Sequence, residues 1–210
     1  MPMSPDRRRL LAGLAATPAA LALLPAPLRA EDAAATPLLT GDVALGAEDA
    51  PVTVIEYASL TCPHCASFHT RTWPEVKAQY VDTGKVRFIM REVYFDAPGL
   101  WASMIARCGG ETGYYPMIDA FLKRQGDWSR ADDIPAALQK IGRLNGLSSE
   151  RMRVCLTDRD FAETLVQNYK DNSELHEIRS TPSFVVNGEL HSGAMGFAEF
   201  SALLDRALEG

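Results

Sequence analysis

Two cysteines with two residues between them, Cys62-Pro63-His64-Cys65, closely follow a β-branched run from Val52 to Tyr57. At that spacing both sulfurs share one turn of chain and can close a small disulfide. If the turn opens a helix, the first sulfur lies beside backbone N–H groups that have no intrahelical partner. It also lies at the positive end of the helix dipole, and both effects stabilise a thiolate. Cys62 is therefore expected to have a depressed pKa and to attack or leave disulfides readily. Cys65, one turn deeper, is the resolving partner. His64 can add positive charge or a hydrogen bond to the same sulfur. Whatever stabilises the reduced thiolate makes the disulfide form a stronger oxidant. A zinc ribbon would need a second C-x-x-C, whereas Cys108 and Cys155 stand alone, so no metal site is expected. An inert disulfide at a helix start is the plain competing reading.

Three further features bear on this chemistry. Glu56 lies on the β-branched run, six residues before Cys62. Buried beneath Cys65, its carboxyl could move that thiol's proton during exchange; on an edge strand it would simply face solvent. Alternation leaves both readings open. In Ser180-Thr181-Pro182-Ser183 a proline opens a strand just before a hairpin, where a cis peptide has positional meaning. His69, His176 and His191 show no ligand spacing and read as surface or packing residues.

The elements that must hold these residues follow from the pattern. Val52–Tyr57 is a strand. Thr61 is the predicted N-cap of the helix that carries the cysteines, with Pro63 tolerated in its first turn. His69, Trp73, Val76 and Tyr80 then form one apolar face, Pro74 should kink the helix, and Gly84 should stop it. A second strand runs from Val86 to Val93. From Pro98 to Ile178 the signal is helical only, punctuated by Gly109-Gly110, Gly126 and Gly146. Strands resume at Phe184–Val186 and Glu189–His191, with Asn187-Gly188 between them as a hairpin turn. A last helix covers Phe197 to Leu208. The order is strand, helix, strand, helical insert, hairpin, helix.

The N-terminus sets the compartment. Arg7-Arg8-Arg9 precede an apolar run from Leu10 to Leu24, and small residues surround a cleavage point after Ala30. These are the three parts of a secretory signal. Asp6-Arg7-Arg8-Arg9-Leu10-Leu11 also resembles a twin-arginine export signal. Cleavage would leave about 180 residues, one domain's worth. It would also leave 17 basic and 26 acidic residues, a net charge of −9. That surface argues against nucleic acid as a partner.

Taken together, Val52 to Cys65, Asp82 to Phe88, Ser180 to Phe184 and the Asn187-Gly188 hairpin with Ser192-Gly193 and Phe197 resemble the DsbA family. The resemblance covers about residues 40–208. It implies an α/β, thioredoxin-like fold with an inserted all-helical domain. The expected organisation is a signal peptide over 1–30, a tether over 31–45, a thioredoxin-like domain from 46–96 and 179–210, and the helical insert at 97–178. It implies a periplasmic oxidase, without a cofactor, that donates its Cys62–Cys65 disulfide to reduced, unfolded exported proteins. Cys62 would form the mixed disulfide, and Thr181 and Pro182 would border the peptide site. A DsbB-like, quinone-linked membrane protein would reoxidise the pair.

Two features depart from the family's simplest members. Thr181 before the proline is a choice also seen in disulfide isomerases, but those usually carry an N-terminal dimerisation domain. The short stretch before the first strand leaves no room for one, which favours a monomer. Cys108 and Cys155 both lie on apolar stripes of the helical insert. In an exported chain a bond between them is expected, structural or regulatory, with two buried free thiols as the alternative. The rival functions are an isomerase or reductase kept reduced, and a non-catalytic peptide-binding chaperone module.

Overall fold

The computed structural model describes residues 36–210. The expected signal peptide, its cleavage point and residues 31–35 of the expected tether lie outside the described residues. Five strands form one mixed sheet in the order β1-β3-β2-β4-β5. They are β1 (Ala44–Leu45), β2 (Val52–Ala58), β3 (Val86–Glu92), β4 (Ser183–Val186) and β5 (Glu189–Ser192). β2 is parallel to β3, with Glu56 beside Met90, and antiparallel to β4, with Glu56 beside Phe184. Flanked on both edges, β2 buries Val52, Val54, Glu56, Tyr57 and Ala58. The edge strand β1 pairs antiparallel with β3 through only two residues, at the end of the segment read as a tether. Its length is too short for alternation to reveal it.

Between β2 and β3 the chain forms α1 (Pro63–Arg71), α2 (Trp73–Val76) and a π-helical turn, Lys77–Val81. The predicted single helix with a kink at Pro74 is instead interrupted at Thr72. A proline has no N–H to donate to the carbonyl four residues back. Restarting the helix places Pro74 in the first turn of α2, where no donor is needed. Gly84, at φ 77°, ends the segment as expected.

Six helices lie between β3 and β4: α3 (Ala97–Cys108), α4 (Gly110–Lys123), α5 (Gln125–Trp128), α6 (Ile134–Leu144), α7 (Ser149–Thr157) and α8 (Arg159–Leu175). Side chains of Asp96, Asp133, Ser148 and Asp158 cap four of them by accepting from the backbone N–H three residues on. These caps divide the insert where the glycines alone did not. The final helix, α9, spans Phe197–Glu209. Asn187 and Gly188 both have positive φ, 47° and 93°, as a tight hairpin turn requires.

Packing joins these layers around α1. Phe68 stacks against Phe184 of β4 and Phe200 of α9, at ring-centroid distances of 4.8 and 5.4 Å. Trp73 lies 4.0 Å from Phe88 of β3. The fold is thioredoxin-like, with the helical layer docked on β3 by a buried ion pair. Arg107 of α3 donates two hydrogen bonds to the Glu92 carboxylate, at 2.8 and 2.5 Å, and others to the carbonyls of Leu39 and Gly41. Behind it, Cys108 of α3 and Cys155 of α7 are joined by a disulfide with Cα atoms 6.2 Å apart. It is buried in a cluster with Met104, Phe161 and Leu165.

Candidate active site

Cys62 stands at the junction of strand and helix. It is itself the N-cap of α1, with extended backbone (φ −80°, ψ 120°) and no side-chain cap. Thr61, the predicted cap, sits one residue too early. Its hydroxyl lies 3.1 Å from that of Ser59, and the Cys62 N–H is bound by the Ser59 carbonyl at 3.1 Å. A cysteine at the cap leaves the first-turn N–H groups to its sulfur instead of to a serine or threonine oxygen. The turn is held from the helical layer by Gln125, whose side chain donates to the carbonyls of Leu60 and Cys62 at 2.8 and 3.0 Å. Sequence alone offers no signal for Gln125, because its role depends on how α5 docks.

Opposite the turn lies the loop before β4. The Thr181–Pro182 peptide is cis. The Thr181 carbonyl lies 3.5 Å from Cys62 Sγ, and the Pro182 carbonyl accepts from the Gly193 N–H at 2.9 Å. Residues 119 apart in sequence thus meet over the sulfur. Pro63 and His64 are exposed, Cys62 and Pro182 are buried, and Thr181 is half-buried.

The two thiols differ in what surrounds them. A hydrogen bond from Cys65 contributes most to lowering the Cys62 pKa, which burial partly opposes. The Thr181 side chain and the backbone N–H groups of Cys65 and His64 add to the lowering, and the result is about 5. His64 therefore acts on the sulfur through its backbone. Cys65 is fully buried, and its pKa is pushed well up by the same bond to Cys62, by burial and by the charge of Glu56. The arrangement is a thiolate at the helix cap, bonded to a neutral thiol beneath it.

Glu56 is fully buried, so it does not face solvent on an edge strand. Its Oε2 lies 2.7 Å from Nε2 of His69, a residue read from sequence as surface or packing. His69 is only 1% exposed, one helical turn beyond Cys65 on α1. His176 is bound instead by the Tyr57 hydroxyl, 2.6 Å from its Nδ1, and His191 is half-buried beside Glu189.

A helix-capping dithiol after the central strand, facing a cis-proline loop, defines a thioredoxin-fold thiol–disulfide protein. A family model described as thioredoxin matches residues 39–206, and the chain belongs to that family. It is similar to a Rickettsia bellii (strain RML369-C) relative that carries a provisional name, protein-disulfide oxidoreductase. The two are 37% identical over 169 residues, 80% of this chain and 65% of the relative. Disulfide bond formation protein D of Bacillus subtilis (strain 168) is 25% identical over 182 residues, 83% of this chain and 80% of that one. The crystal structure of Wolbachia pipientis alpha-DsbA1 superposes with a TM-score of 0.75 at 29% identity, covering 84% of this chain and 94% of that chain. The chain is thus DsbA-like, and it spans 60–65% of the length of three of its Rickettsia relatives.

Proposed function

We propose that this chain is an exported protein-disulfide oxidoreductase that passes the Cys62–Cys65 disulfide to reduced, unfolded proteins in the periplasm. The observation that carries this reading is the placement of the pair: Cys62 caps α1 3.5 Å from the Thr181 carbonyl, with its pKa lowered to about 5, above the fully buried Cys65. A pair that favours its thiolate so strongly holds its disulfide weakly and gives it away.

In the forward reaction a substrate thiolate attacks Cys62 Sγ. The Cys62–Cys65 bond breaks, and its electron pair leaves on Cys65, which takes a proton. The mixed disulfide on Cys62 is then attacked by the substrate's second thiolate, which forms the substrate disulfide and expels Cys62 as the stabilised thiolate. The half-buried Thr181 and cis Pro182 border the entering peptide and offer backbone groups to it. Glu56 supplies and receives the proton of Cys65. The reoxidant is a DsbB-like, quinone-linked membrane protein, the acting unit a monomer, and no cofactor takes part. Cys108 and Cys155 serve the helical insert and lie outside the exchange.

The test is the redox equilibrium of Cys62–Cys65 against glutathione, read by thiol trapping and peptide mass. A pair still reduced until the buffer is strongly oxidising is a disulfide donor. A pair that oxidises readily in reducing buffer makes the protein a reductase or isomerase. Assisted refolding that survives Cys62→Ser, with a disulfide-free client, would instead identify a binding module.

A further inference from the structure

Cys65 is fully buried, so its proton has no direct route to water. The same is true of Glu56, the group that exchanges that proton in the reading above. A carboxyl sealed in the core can serve one turnover, but it must itself be reloaded or discharged before the next. The described residues offer a path for this. Glu56 is bonded through Oε2 to Nε2 of His69, at 2.7 Å. Cys65 and His69 are one turn apart and share a face of α1. The second ring nitrogen of His69, Nδ1, is buried without a protein partner among the described residues, as is Glu56 Oε1.

His69 also lines a cleft of about 550 Å³ between the α1–α2 break and α4. Trp73, Pro74, Tyr115 and Ile118 form much of its wall. The cleft is large enough for several waters, and His69 in its wall carries a covered ring nitrogen, Nδ1, without a protein partner among the described residues. The charges around the cleft are Lys77, Glu111, Asp119 and Lys123. Lys77 is paired with Asp82 and Lys123 with Asp119, at 2.5 and 2.7 Å. Among the described residues His69 bonds the Glu56 carboxyl, whose charge also acts on Cys65 and Tyr115. The Tyr115 hydroxyl is committed to the carbonyls of Val43 and Phe88 and to the Met90 N–H.

We propose that His69 is the outlet for the Cys65 proton, carrying it between Glu56 and water in the cleft behind α1. The proposal rests on the reading of Glu56 as the proton acceptor of Cys65. When Cys65 resolves a mixed disulfide on Cys62, the Cys62–Cys65 bond forms and the outgoing thiolate takes the electron pair. The Cys65 proton enters the pair at the Glu56 carboxyl, and the pair returns one proton to water at His69 Nδ1. His69 touches neither sulfur. It is a positioning residue that acts through Glu56, and the cleft that it lines would supply the water.

The test is stopped-flow reaction of the full reduced protein with 5,5′-dithiobis(2-nitrobenzoate). The first thionitrobenzoate released reports attack by Cys62, and the second reports attack by Cys65 on the mixed disulfide. In His69→Ala the first phase keeps its rate and the second slows by about tenfold or more, within the usual range for a lost acid–base group. Imidazole added to the buffer restores the second phase by occupying the vacated space beside the cleft. His69→Gln keeps a side-chain donor for Glu56 but cannot relay a proton, so its second phase is slow as well. Wild-type rates in His69→Gln, or a slow His69→Ala that imidazole does not restore, reduce His69 to a tether for Glu56 and overturn the outlet. A wild-type second phase in Glu56→Gln shows a different failure, that of the Glu56 reading itself.

Discussion

The reactivity of Cys62 comes from what its neighbours offer a negative sulfur. It sits at the helix cap, where Ser, Thr or Asp would normally satisfy the first-turn N–H groups. In the reduced protein those donors, the Thr181 side chain and the Cys65 thiol bring its pKa down to about 5. The sign of the linkage follows from a folded value below the unfolded one. The stabilisation is complete above the ordinary thiol range, about pH 8.5. It declines as pH falls and is gone below about pH 5. The reduced form should therefore be the more stable form at neutral pH, and its advantage over the oxidised form should shrink toward pH 5. Paired urea titrations of both forms across this range measure the gap, while thiolate absorbance gives a midpoint near pH 5. A gap that does not vary with pH would rule out the proposed source of oxidising power.

Element by element, the site depends on how α3 and α5 dock against the sheet. Gln125 of α5 holds the carbonyls of Leu60 and Cys62. Arg107 of α3 fixes Glu92 at the end of β3 and gathers the segment before β1. Arg107 and Glu92 are both at most 5% exposed, so neither charge can turn to water if its partner is lost. Arg107→Met is expected to destabilise the fold by about 3–5 kcal/mol, the usual cost of a buried charge left alone. Chemical unfolding measures this directly, and a loss under about 1 kcal/mol would mean that Glu92 finds another donor or takes up a proton. Neither Arg107 nor Gln125 stands out in sequence, because each lies inside a helical stretch and finds its partner only through docking.

At the scale of the whole molecule, two disulfide chemistries are kept apart. Cys62–Cys65 lies at the sheet's end under the cis-proline loop, whereas Cys108–Cys155 is sealed between α3 and α7. The second bond closes a loop with a sequence separation of 47. Constraining a loop of that length stabilises a fold by at most about 4 kcal/mol in the chain-entropy model. A Cys108→Ala/Cys155→Ala protein should unfold at lower denaturant while its Cys62–Cys65 equilibrium with glutathione stays in place. A shift of that equilibrium by more than about tenfold, or 30 mV for a two-electron couple, would show that the two pairs communicate.

What could be read from the chain alone was whatever is local. The dithiol spacing, the strand before it, the Asn187-Gly188 turn and the amphipathic helices each depend on neighbours a few residues away. The order of the elements is local as well, whereas the thioredoxin-like fold class follows from the family resemblance that these motifs carry. Tertiary structure decided the rest. It buried Glu56 by placing β2 between β3 and β4, and it turned His69 from an apparent packing residue into the partner of that carboxyl. It brought Thr181 to Cys62 and Gln125 to the turn beneath it. Each of these is a contact between residues far apart in sequence, and burial and hydrogen bonding act through space.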